Sequence, residues 1–262
     1  MDSSVLTAYK DWFSAYTGRF HFERPEEQRN IDLKVDHTRH VCEVIVEIAR
    51  SQGLSPEEVR LAETVGLFHD LGRFEQYARY KTFRDSISVN HGRLGADILE
   101  SESVLGDLAA DEREIVSRSV LFHNAFAIPE PRDDRSTLFL RLIRDADKLD
   151  IWRVFLGYLE GEPSEMPSEA LLGLPNLDTC SPEVTACLTQ GRMAALTALK
   201  SVNDFILLQI SWAYDLNFRK SFLLALERRY VERLGGLLPD TAEVRAACDA
   251  VSGFVQRRAA AG

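Results

Sequence analysis

Two neighbouring stretches decide how this chain is read: DLKVDHTRHVCEVIVEIARSQ (Asp32–Gln52) and SPEEVRLAETVGLFHDLGR (Ser55–Arg73). In the first, Val41, Val44, Ile45 and Ile48 recur at helical spacing and make one apolar stripe. At about 100° per residue, His37 falls near the centre of that stripe and His40 at its edge. In the second, Ser55-Pro56-Glu57-Glu58 reads as an N-cap, a proline at the first helical position and a capping-box glutamate. The helix it opens is expected to run to about Leu71, with Gly72 as its C-terminal stop. His69 shares a face with Ala62 and Val65 and so points inward, with Asp70 beside it.

The helical period continues on both sides. Val5, Tyr9, Trp12, Phe13 and Tyr16 mark a helix around Ser4–Gly18. Further helices are expected over Asn90–Glu102, from a capping box at Asp111-Glu112-Arg113-Glu114 to the prolines Pro129 and Pro131, and over Ser136–Glu160. From Ser181-Pro182-Glu183 a helical region continues to the end. Arg73–Val89 reads as an irregular connection, and Gly161–Ser181, with Pro163, Pro167, Gly173 and Pro175, as a long loop or lid-like insertion. No sustained two-residue alternation is present, so the fold class is all-α. The expected organisation is a single helical domain over residues 1–262, with a core at about 30–160 and a C-terminal helical extension at about 181–262 packed on it.

With 262 residues, 45% of them hydrophobic, the chain can bury a sizeable core, which excludes intrinsic disorder. The 31 basic and 41 acidic side chains leave a formal charge of −10, which argues against a nucleic-acid polymer as partner. A small phosphorylated ligand held by a local cation or metal remains compatible with that charge. Cys42, Cys180, Cys187 and Cys248 form no CxxC pair, and the amino terminus lacks the pattern of a secretory signal. No apolar run approaches the ~20 residues of a membrane span. The expected setting is therefore cytoplasmic, without membrane association. Phe205–Ile210 is read as core or as a homodimer face, and Trp212–Lys220, including Asp215 and Asn217, as turn and capping chemistry.

Five of the six histidines fall between His37 and His123. His123 shares a face with Val116 and Val120, and His91 heads a face with Leu94, Gly95 and Ile98. Asp147 stands in an apolar stripe made by Leu140, Ile143, Ile151 and Val154. A carboxylate there is costly unless it is paired or binds a metal. A lone inward histidine is an ordinary hydrogen-bonded core residue. Four of them with two aspartates on consecutive helices are satisfied together by one metal centre. Imidazole and carboxylate suit zinc, iron, manganese and related ions, and the absence of cysteine disfavours a purely structural zinc site.

His37-Thr38-Arg39-His40-Val41, His69-Asp70-Leu71-Gly72-Arg73 and Ala146-Asp147-Lys148-Leu149 together resemble the HD-domain metal-dependent phosphohydrolases over about residues 30–160. The resemblance implies an HD-domain helical bundle. It makes His37, His69, Asp70 and Asp147 the ligands of one metal. His91 and His123 match the extra histidines of members with a second metal, Asp70 bridging the two. His40 falls where the family has no ligand. The implied cofactors are two divalent ions, among iron, manganese, zinc, nickel, cobalt or magnesium.

Two such cations would share a hydroxide that attacks the phosphorus of a small phosphate ester, a nucleotide being the favoured substrate. Asp70 is then catalytic as well as a ligand, and Arg73 and Lys148 are the candidate phosphate-binding cations. In the Gln76–Val89 segment, Tyr77, Tyr80 and Phe83 are candidates for stacking on a base, and Arg79, Lys81 and Arg84 for meeting phosphates. Asp85 is expected either to orient a ligand histidine or to cap the next helix. The same donor set also resembles the mixed-valent di-iron oxygenases on this fold, and a non-catalytic nucleotide-sensing module is a third reading.

Overall fold

The computed structural model describes residues 1–129, 134–160 and 173–261. Among these residues there is no strand, in line with the all-α expectation. The chain divides into two compact units, Met1–Asp150 and Ile151–Gly262.

The first unit contains α1 (Ser3–Thr17), α2 (Pro25–Ser51), α3 (Pro56–Phe68), α4 (Leu71–Tyr80), α5 (His91–Ser101), α6 (Ala110–Phe122) and most of α7 (Asp134–Glu160). The cap of α3 is the predicted one: Glu58 N donates to Ser55 Oγ and Ser55 N to the Glu58 carboxylate. At α5, Arg93 N donates to the Asn90 side chain. Helix α2 starts seven residues before the expected Asp32, because Pro25 at its first position and Glu26 and Glu27 in its first turn suit a helix N-terminus. The box expected at Asp111 does not form. Ala109 is the N-cap of α6 and makes no side-chain cap bond, so Asp111 and Glu112 act only as first-turn charges.

The irregular connection expected over Arg73–Val89 is the main correction. Its first part is helical, since α4 begins at Leu71 and runs to Tyr80. Leu71, Phe74 and Tyr77 supply a buried face at helical spacing. Gly72 therefore lies inside a helix instead of ending one. A Cβ there would stand 2.2 Å from His91 O and 2.7 Å from Gly95 N, so the glycine lets α4 touch the backbone of α5. The true helix end comes earlier, at Phe68, and His69-Asp70 occupies the break between α3 and α4.

Aromatic side chains of α1 brace both sides of that break. Tyr9 and Trp12 meet Phe68 edge-on at 5.5 and 5.9 Å. Phe13 and Tyr16 meet Phe74 edge-on at 5.8 and 6.4 Å.

The second unit contains the rest of α7, α8 (Pro182–Thr189), α9 (Val202–Ser211), α10 (Arg219–Glu227), α11 (Tyr230–Gly235) and α12 (Ala242–Ala260). Phe205–Ile210 is buried, which fits the core reading of that stretch. Trp152 donates to Gln209 O at 3.1 Å, and Asn217 donates to Asp215 O at 2.8 Å in the turn before α10. Within the expected loop Gly161–Ser181, residues 161–172 lie outside the described residues, as does Pro131. Residues 174–181 are non-helical, as expected.

Gly72→Ala is expected to destabilise the protein by about 3 kcal/mol, because backbone atoms cannot yield as a side chain can. Urea unfolding followed by circular dichroism checks this. A loss below about 1 kcal/mol would show that α4 and α5 do not meet in this way.

Candidate metal centre

The six predicted ligands are brought together. His37, His69, Asp70, His91 and His123 are each at most 4% exposed, and the Asp147 side chain is 17% exposed. His37 comes from the middle of α2, and Asp147 from α7. His69 and His123 are the C-caps of α3 and α6, and His91 is the first residue of α5.

The imidazoles form two pairs. His37 Nε2 lies 3.2 Å from His69 Nε2, and His91 Nε2 lies 3.0 Å from His123 Nε2. The Asp70 carboxylate stands between the pairs. Its Oδ2 is 3.7 and 3.8 Å from His37 and His69, and its Oδ1 is 3.4 and 3.7 Å from His91 and His123. Asp147 joins the first pair, with Oδ1 3.2 Å from His37 Nε2 and 3.7 Å from His69 Nε2.

Each Nδ1 is engaged on the far side of its ring. His37 donates to Asp150 at 2.7 Å and His91 to Asp85 at 2.8 Å. His69 donates to Gly66 O at 2.7 Å and His123 to Val120 O at 2.8 Å. The last two acceptors are carbonyls of a final helical turn, which lack intrahelical partners. A carbonyl can only accept, so Nδ1 of His69 and His123 carries the proton and Nε2 offers its lone pair to the centre.

Burial opposes charge on His37, but the hydrogen bonds of Asp147 and Asp150 outweigh it and lift the imidazole to about 9. Burial lowers His69 to about 4. Burial, reinforced by the Arg73 cation, lowers His91 to about 3. Burial works against the charged form of Asp70. Lys34, His69, His123 and Arg73 nevertheless hold it well below the ordinary carboxylate range.

This donor set fits metal ions. Two nitrogens bound about 2.0–2.1 Å from one ion are separated by roughly 3.0–3.4 Å, which matches both imidazole pairs. His37–His69–Asp70 and Asp70–His91–His123 each place their ligand atoms within 4.8 Å of one another. The first group could hold an ion with Asp147 as a fourth ligand, and the second could hold another with Asp70 shared.

The supporting side chains are largely ones that sequence reading passed over. Lys34 Nζ lies 2.8 Å from Asp70 Oδ2 and 5.2 Å from the centre of the Phe83 ring. It precedes His37 by three residues, so helical spacing alone could have marked it. Asp150 follows Asp147 by three residues in the same way. Asp85 orients His91, and the following helix takes its cap from Asn90, which decides between the two expectations for Asp85. Gln76 and Asn124 also donate to Asp85, at 2.9 and 3.1 Å. Burial raises and the His91 hydrogen bond lowers the Asp85 carboxyl, which ends at about 2.

Arg73 directs Nη1 to Asp85, Gln76 and the Phe83 carbonyl, and its Nε lies 3.5 Å from Asp70 Oδ1. Lys148 is buried, with Nζ 3.3 Å from Arg144 O. His40 is half-buried beside Asp36, away from the centre. Tyr77 is buried and bound by Asn30, while Phe83, half-buried, packs on it at 5.0 Å with its ring beside Lys34 and Arg73. Lys81 pairs with Glu27 and Arg79 with Glu75, while Tyr80 is exposed.

Elemental analysis of the purified protein is expected to find about two metal ions per chain, falling to about one in His91→Ala or His123→Ala. A wild-type value of one would empty the second group of its assigned role. Asp85→Ala is expected to weaken metal binding at the His91–His123 group by about 10–100-fold while sparing the other group. Equilibrium titration would reveal equal weakening at both groups if Asp85 had no orienting role.

No curated protein and no solved structure matches this chain significantly. Residues 35–152 match the family model described as the HD domain. That segment begins two residues before His37, ends five after Asp147 and contains every ligand of the centre. The chain thus contains an HD domain over residues 35–152.

Proposed function

We propose that this chain is a metal-dependent phosphohydrolase that cleaves a small phosphate ester. The observation that carries the reading is the pair of imidazole groups sharing one carboxylate, with the Lys34 ammonium and the Arg73 guanidinium both on that carboxylate. Four carboxylates touch the ligand set or belong to it: Asp70, Asp85, Asp147 and Asp150. Against Lys34 and Arg73, and with the imidazoles neutral as metal ligation requires, they leave a formal charge of −2. Two divalent ions turn that into an equal positive charge, which suits a phosphate dianion. Bound there, the ions would supply an activated water and neutralise charge developing on the phosphoryl oxygens.

The side chains of this protein have distinct tasks in the proposal. Lys34, resting over the Phe83 ring, contacts a phosphoryl oxygen and shields its charge from Asp70. Arg73, anchored by Asp85 and Gln76, contributes a fixed positive charge on the His91 side. Lys148, next to Asp147 in sequence, turns its Nζ to Arg144 O and is a further candidate cation beyond these two. Asp150 and Asp85 keep His37 and His91 turned toward the centre. The donor set would equally hold the two irons of an oxygenase, but two cations on the bridging carboxylate favour an anionic substrate. The sensor reading has no observation of its own, since all six ligand positions are filled by competent donors.

Metal-stripped protein is expected to release no phosphate from a panel of nucleotides and sugar phosphates, and to regain activity with Mn²⁺ or another divalent ion under anaerobic conditions. Lys34→Met should lower kcat/KM by about a hundredfold with metal content unchanged. Substrate-dependent consumption of O₂ by the iron-loaded protein, without phosphate release, would reverse the assignment.

A further inference from the structure

Two strongly exposed apolar side chains stand on the loops that flank the His91–His123 group. Ile87 is 61% exposed and Phe126 is 62% exposed. Their loops are tied together by the hydrogen bond from Asn124 Nδ2 to Asp85 Oδ2, at 3.1 Å. Ile87 lies two residues beyond Asp85, and Phe126 two residues beyond Asn124. Both tied residues also approach His91 Nδ1, Asp85 at 2.8 Å and Asn124 at 3.3 Å.

Phe126 is held firmly. The guanidinium of Arg144, 2% exposed, donates to the carbonyl oxygens of His123 at 3.1 Å, of Ala125, and of Phe126 at 3.4 Å. One buried cation therefore pins the backbone from the ligand His123 to Phe126. Ile87 closes a single 3-10 turn, its N–H donating to Arg84 O at 3.2 Å. Isolated apolar side chains are ordinary on a protein surface. A rigidly mounted aromatic three residues from a metal-ligand candidate is a more specific arrangement.

We propose, building on the phosphohydrolase reading, that Phe126 with Ile87 forms the platform on which the base of a nucleotide substrate stacks while its phosphate occupies the metal centre. Along the chain the Phe126 Cα is at most about 11 Å from the His123 Cα, a span that one nucleotide covers from phosphate to base. A flat aromatic face open on one side suits a flat π-system. A sugar phosphate offers no such surface, and an acyl chain needs an enclosure that so exposed a side chain does not give. Among the aromatic residues of the Gln76–Val89 segment, Tyr77 is buried, Phe83 packs on it with its ring beside Lys34 and Arg73, and Tyr80 is exposed on α4.

The test uses the full-length, metal-loaded protein. Calorimetry measures the binding of the four ribonucleoside monophosphates and of ribose 5-phosphate to wild type, Phe126→Ala, Phe126→Trp and Ile87→Ser. Phosphate release from the same compounds is followed in parallel. Wild type is expected to bind at least one nucleotide about tenfold more tightly than ribose phosphate. Phe126→Ala should erase that preference by weakening the nucleotide alone, Phe126→Trp should keep it, and Ile87→Ser should reduce it. Equal affinity for both ligand types in wild type, or equal weakening of both by Phe126→Ala, overturns the platform. A wild-type dimer that Phe126→Ala converts to monomer in sedimentation velocity also overturns it, by giving this face to a second copy. Failure to hydrolyse any compound counts against the phosphohydrolase reading, while the binding comparison still decides the platform.

Discussion

A single buried carboxylate, Asp70, organises the centre. Its two oxygens face different imidazole pairs, and each oxygen also has a cation within ion-pair distance, Lys34 on one side and Arg73 on the other. An unpaired charge at 4% exposure would be strongly unfavourable. The four histidines and two cations are therefore requirements of Asp70 as much as adornments of a site. The backbone meets this requirement by ending α3 at Phe68 and starting α4 at Leu71, so that His69 and Asp70 lie in a break braced by the aromatic side chains of α1.

The two halves of the centre repeat one scheme. Each has a histidine backed by a carboxylate, His37 by Asp150 and His91 by Asp85. Each also has a histidine that closes a helix and donates to its last turn, His69 to Gly66 and His123 to Val120. The halves differ in charge. Asp147 serves only the His37–His69 half, and Arg73 bears on the His91 half. The first half is accordingly the richer in anionic donors and the second is the more electropositive.

The ligands were legible because helical periodicity turns residue spacing into direction. His37, His69, His123 and Asp147 announce themselves as polar residues in apolar stripes, and the HD spelling orders them. Lys34 and Asp150 obey the same spacing but lie one turn from a ligand, where a charged residue looks like an ordinary helix surface. Helix α4 is hidden in the sequence because Gly72 reads as a stop signal. Glycine serves equally for conformational freedom and for close approach, and only the neighbouring helix shows which is in use. Arg144 donates to backbone oxygens beyond α6 and Gln76 to Asp85, Ser88 and the Val89 carbonyl, and no local pattern encodes such contacts.

The backbone contact at Gly72 has a consequence for how the protein could be altered. The spacing between the two halves of the centre is set by helix against helix, not by the connecting segment 81–90. That segment is then open to lengthening where it makes none of these contacts, provided Phe83, Asp85, Ser88, Val89 and Asn90 keep their places. A scaffold of this kind would accept insertions in its surface loop while the separation of its two donor groups stays as it is.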